Sequence, residues 1–155
     1  MSKSMTAVCA LALSLGASIL APSAVQAEGN LAARPTTLET LVLDGRNLGF
    51  NQKEYSLETG KYYKWQITSK GGEEFSLFFP DLFRLAQVLQ IRVNTVPAGQ
   101  PAQFIEVHTV GPIHHLEYDA PGDTVIFFVP ISPGEVKFYA AGFENKGMTG
   151  VMKIK

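Results

Sequence analysis

Three histidines lie within eight residues, His108, His114 and His115, on either side of Gly111-Pro112 in the stretch FIEVHTVGPIHHLEY. If the flanks pair as a hairpin across that two-residue turn, Val110 faces Ile113 and His108 faces His115. Side chains alternate along a strand, so Glu106, His108, His115 and Glu117 then share one face, and His114 points the other way. Two imidazoles and two carboxylates form a donor set suited to a divalent ion, Cu(II) or Zn(II). The same register sets Glu106 against Glu117, a like-charge pair that costs stability unless a cation or solvent relieves it. The competing reading is the solvated polar face of an ordinary hairpin.

Other chemistry is sparse. Ser69, Ser76 and Ser132 have no histidine and supporting carboxylate nearby in a recognisable motif. Glu73 and Glu74 are adjacent on an expected strand, so their carboxylates should face opposite ways. No Gly-rich loop precedes a helix in the manner of a phosphate cradle. The sequence therefore nominates no catalytic residue, and the chain is expected not to be an enzyme.

The first segment reads as an address. Lys3 supplies a positive start, residues 7–20 are apolar, Pro22 breaks the run, and Val25-Gln26-Ala27 has the small-x-small form of a cleavage site. The apolar run is shorter than the roughly 20 residues a membrane span needs. Cleavage after Ala27 is expected, with export to the periplasm or beyond and no membrane insertion afterwards. Removing the first 27 of the 155 residues leaves 128, beginning at Glu28. The only cysteine, Cys9, leaves with that segment, so the mature chain has no thiolate, disulfide or nucleophilic thiol. The whole chain has 13 basic and 14 acidic residues, and losing Lys3 leaves 12 against 14. That balance offers no footprint for nucleic acid or an anionic membrane.

These residues must be positioned by one domain. After a leader at 28–37, short runs of alternating or β-branched and aromatic residues fill 38–155, each ended by Gly or Pro. TLETLVLDG, KYYKWQITSK, EEFSLFF, DTVIFFVPI, EVKFYAA and TGVMKIK are examples. Many short strands between turn signals predict an all-β Greek-key sandwich. The exception is PDLFRLAQVLQIRVN, where Leu82, Leu85, Ala86 and Leu89 fall at helical spacing after Asp81. A short helical insertion near 81–90 is expected there, and a strand beginning near Val88 fits as well.

The end of the chain, SPGEVKFYAAGFENKGMTGVMKIK, resembles that of the cupredoxins, small exported copper proteins such as plastocyanin. The shared rhythm is Pro-Gly, a strand ending in Phe-Tyr, a short loop, Gly-Met-x-Gly and a last strand. LETGKYYKWQITSKGGEEF resembles the family's middle strands more loosely. Carried over residue by residue, the resemblance puts Ala140 at the cysteine ligand, Phe143 at the loop histidine and Met148 at the axial methionine. The first histidine falls near Glu73 and Glu74, and no histidine occurs between residues 28 and 107.

A blue-copper site is built on two imidazoles and a thiolate, with methionine only a weak axial contact. A degenerate site is therefore expected, with no cofactor of the family's type. Copper or zinc held by Glu106, His108, His115 and Glu117 is the alternative, and Met148 would otherwise serve the core. Phe78, Phe79, Phe83 and Phe143 are more aromatic residues than one end of a sandwich needs. The resemblance implies an apolar docking surface at the loop end, with Phe143 and Met148 the residues expected to meet a periplasmic protein partner.

Overall fold

In the computed structural model, the described residues are 34–94, 105–107 and 113–155, with backbone alone at 94 and 105–107. The strands in chain order are β1 (Thr36–Thr37), β2 (Leu41–Leu43), β3 (Glu54–Leu57), β4 (Tyr63–Ser69) and β5 (Phe75–Phe78). A single helical turn, α1 (Leu82–Leu85), leads into β6 (Ala86–Asn94). There follow β7 (Ile105–Val107), β8 (His115–Tyr118), β9 (Gly122–Pro130), β10 (Gly134–Ala140), a 3-10 turn (Glu144–Lys146) and β11 (Thr149–Ile154).

The strands form two sheets. One has the order β1-β4-β9-β6, with β2 also pairing with β4, and the other runs β3-β11-β10-β5-β8-β7. The chain crosses repeatedly between them, so sheet neighbours are seldom sequence neighbours, the Greek-key habit expected of such a sandwich. Strand β4 shows why these segments are strands. Tyr63, Trp65, Ile67 and Ser69 are buried while Lys64, Gln66 and Thr68 are only partly covered, a period of two. Strand β10 likewise turns Val136, Phe138 and Ala140 inward. Strand β9 lies between β4 and β6 and is buried from Thr124 to Pro130 on both faces. Arg92 lies over the Phe127 ring at 5.0 Å, its stem helping to cover that outward apolar residue. Trp65 sits centrally, edge-on to Tyr55, Phe79 and Phe138.

The expected insertion near 81–90 resolves into helix and strand. Only Leu82–Leu85 is helical, and its two leucines are buried. Asp81 makes no side-chain cap, and its carboxylate instead accepts from Arg84 Nε at 3.0 Å. From Ala86 onward the pull of β9 prevails, since β6 pairs with it along nearly its full length. The register shifts by one between Val88 and Gln90, which turns Leu89 outward on the side of the sheet where β6 has no further neighbour among the described residues. A bulge of this kind blunts an unpaired edge against further strand addition.

Candidate functional site

Strand β10 delivers Ala140 to the end of the sandwich, and β11 begins just after Met148. The loop between them is held by its own backbone. Ala140 N–H donates to Met148 O at 3.0 Å, Phe143 N–H to Ala140 O at 3.1 Å, and Met148 N–H to Phe143 O at 3.3 Å. Gly147 closes the 3-10 turn at φ 85°, a conformation that favours glycine. Gly150 answers to a different need, because a Cβ there would run into the Phe138 ring and come within 2.7 Å of the Lys53 carbonyl.

The root of this loop is apolar. Ala140 and Met148 are fully buried, and Phe143 packs half-buried against the same core cluster. The Phe143 ring meets Phe75 with centroids 5.4 Å apart at 58°, and Phe75 is itself 1% exposed. Sequence reasoning missed Phe75. It looked for the first ligand position at Glu73 and Glu74, but both are exposed in the turn before β5, and the next residue is the one that reaches the loop. Only the packing of β5 beside β10 shows this, through the pairs Tyr139–Phe78 and Ala140–Leu77.

A copper centre of the blue type does not fit these residues. Methyl, two phenyl rings and one thioether supply no imidazole and no thiolate, and a thioether alone is a weak donor. Met148 also has no exposed surface with which to meet a partner, so the docking role expected of it does not stand. Its side chain fills the core, and burial of this kind is worth about 1.5–3 kcal/mol.

The histidine region lies on another part of the molecule, at the outer face of the second sheet. The described register places Ile105 opposite Tyr118, Glu106 opposite Glu117 and Val107 opposite Leu116. His108 lies outside the described residues, as do Gly111 and Pro112. On β8, Leu116 and Tyr118 are buried while His115 and Glu117 are partly exposed, so the latter two share the outer face. His115 Nε2 is 3.6 Å from Glu117 Oε1. The His115 ring stacks on Phe78 at 4.5 Å and 15°, and Phe78 stacks in turn on Tyr139 at 5.4 Å and 8°. His114 is exposed, and its carbonyl accepts from Phe79 N–H at 2.9 Å. Among the described residues, no three His, Cys, Asp or Glu side chains are gathered to hold a metal.

Two tyrosines and an aspartate have perturbed acidities. Burial pushes the Tyr55 hydroxyl up to about 12, with its proton donated to Glu39 O at 3.0 Å. Burial raises Tyr118 further still. Asp44 is held below the usual aspartate value, chiefly by the Arg46 backbone N–H it accepts, with Lys70 Nζ also 3.3 Å away.

Solved structures share this architecture. The copper-containing nitrite reductase of Thermus scotoductus SA-01 matches 83% of this chain at 16% identity with a TM-score of 0.54. The multicopper oxidase of Campylobacter jejuni matches 79% at 9% identity and 0.50. This is a cupredoxin-like fold. The cupredoxin-like chain spans about a third of each of those proteins, 33% and 31%. An auracyanin from the photosynthetic bacterium Roseiflexus castenholzii is covered over 99% of its length and covers 79% of this chain, at 17% identity and a TM-score of 0.49. No protein-family model and no curated protein matches the sequence. Among the described residues, no helix is long and apolar enough to cross a membrane.

Proposed function

We propose that this cupredoxin-like chain is an exported accessory module, acting through contact with a protein partner and carrying out neither catalysis nor blue-copper electron transfer. The observation that supports it is the apolar plug at the loop root, where Phe75, Phe143, Ala140 and Met148 occupy the end of the sandwich. An infilled site keeps the loop's shape while removing every strong donor. The loop then remains as a surface, with Glu144, Asn145 and Lys146 exposed at its tip beside the half-buried Phe143 ring. The leader read from residues 1–27 would send the chain to the periplasm or beyond.

The test has two arms. Copper added to the purified chain should give no intense absorption near roughly 600 nm, because that transition needs a thiolate donor. A photo-crosslinking residue at Asn145 should give a discrete protein adduct in cells, and one at Glu135, at the far end of β10, should not. A stoichiometric blue species, or identical adducts from both positions, would overturn the reading.

A further inference from the structure

We propose that the outer face of the sheet β1-β4-β9-β6 binds an anionic glycan, a linear polysaccharide bearing carboxylates, through Lys64, Arg92 and the glutamine amides beside them. This face is separate from the loop end and from any partner contact there. Its make-up follows from register. Strand β4 buries Tyr63, Trp65 and Ile67, so Lys64, Gln66 and Thr68 face outward. Lys64 is paired with Phe127 and Gln66 with Val125, and from the other side β6 sets Gln90 against Phe127 and Arg92 against Val125. The two cations therefore flank β9.

The first support is unmatched charge. Asp123 and Phe127 stand on either side of Val125, the register partner of Arg92, and the guanidinium leans to Phe127, 5.0 Å from the ring centre. Asp123 accepts instead from Thr68 Oγ1. Among the described residues neither Lys64 nor Arg92 takes part in an ion pair. On the outer face of the other sheet, by contrast, Lys153 is matched by Glu54 at 2.7 Å. Two cations bordering one ring repel each other, and an anion between them replaces that repulsion by attraction. The near balance of 13 basic and 14 acidic residues is an average over the chain that conceals this local excess.

The second support is preorganisation. Arg92 Nε donates to Gln90 Oε1 at 3.0 Å while its guanidinium rests over Phe127, which holds the fork and leaves its Nη groups for a ligand. A guanidinium held in this way meets a carboxylate in two parallel hydrogen bonds. The third support decides the class of ligand. Val125, Phe127 and Val129 form the apolar centre of the face and are only 6–8% exposed. A protein partner anchors on groups it can bury in a pocket, and little apolar surface is left here to bury. The face offers charge instead, with the amides of Gln66 and Gln90 able to donate to and accept from hydroxyls. Carboxylates for the cations and hydroxyls for the amides occur together along an anionic glycan.

The probe is polygalacturonate, titrated calorimetrically at low salt into the purified chain without a histidine tag. Dextran serves as the neutral glycan and poly-glutamate as the acidic polypeptide. Polygalacturonate should bind and dextran should not, while poly-glutamate should bind at least about tenfold more weakly, because it has no hydroxyls for the amides. Arg92→Gln should weaken polygalacturonate about tenfold, and Lys64→Gln several-fold. They act on opposite sides of β9, so each tests the site if the other fails to fold. Gln66→Ala should weaken the glycan and leave poly-glutamate unchanged. Lys137→Gln removes the same charge from exposed β10 of the other sheet and should change binding less than about twofold. Salt at about 1 M, where the screening length is about 3 Å, should abolish binding. No binding of polygalacturonate, equal losses from Lys137→Gln and Arg92→Gln, or poly-glutamate bound as tightly as the glycan would overturn the proposal.

Discussion

Removing the two rings of the apolar plug, singly and together, tests whether they form one packed unit. Phe75 is 1% exposed, and truncating a fully buried phenylalanine costs about 3–5 kcal/mol. Phe143 is half-buried, so it loses roughly half the 1.5–3 kcal/mol of full burial. The ring pair at 5.4 Å adds about 0.5–1.5 kcal/mol beyond area burial. Phe75→Ala should therefore cost about 4 kcal/mol and Phe143→Ala about 2 kcal/mol. The double variant should cost about 1 kcal/mol less than their sum, because the pair is lost only once. Urea unfolding followed by the fluorescence of Trp65, the only tryptophan and wholly buried, reports all three values. The slopes should stay equal across the series, which keeps the comparison a matter of stability alone. A Phe143→Ala cost under about 0.5 kcal/mol, the range of ordinary surface changes, together with strict additivity, would refute the plug.

Adding donors at the loop end tests its geometry. The triple variant Phe75→His, Ala140→Cys, Phe143→His, with Met148 retained, should gain a blue Cu(II) absorption near roughly 600 nm, and a colourless complex would show that the loop does not have the geometry such a site needs. Gly150→Ala should destabilise by about 1–3 kcal/mol, read as a lowered thermal midpoint, since neither the Phe138 ring nor the Lys53 carbonyl can yield freely. Asp44 has a lowered pKa, so its contribution to stability is present above the ordinary aspartate value of 3.8 and fades as pH falls through the lower folded value. Wild type should accordingly exceed Asp44→Asn in stability at neutral pH, and the gap should close in acid; a gap that persists there would argue against the assignment.

The sandwich was legible in the sequence because a strand's burial is a local matter. Alternation in KYYKWQITSK, continuous apolarity in DTVIFFVPI and the Gly or Pro ending each run are set by neighbours one or two residues away. The Gly-Met-x-Gly rhythm was legible for the same reason, since Gly147 and Gly150 answer to a turn and a close backbone approach within one short segment. That no cysteine follows Cys9 needed no structure at all.

Tertiary structure decided what depends on distant partners. No local pattern says that β11 lies parallel to β3 or that β1 and β2 lie parallel to β4. Residues 81–90 carried both helical and strand periodicity, and pairing with β9 settled the choice in favour of strand from Ala86 onward. The first ligand position was expected at Glu73 and Glu74 and Phe75 was passed over, because no local pattern says that those glutamates stay in the exposed turn while the first residue of β5 turns inward. Pairing of β5 with β10 fixed the register and brought Phe75 onto Phe143. Met148 is buried for a similar reason: a loop seen alone has an inside and an outside only once a core exists for it to close.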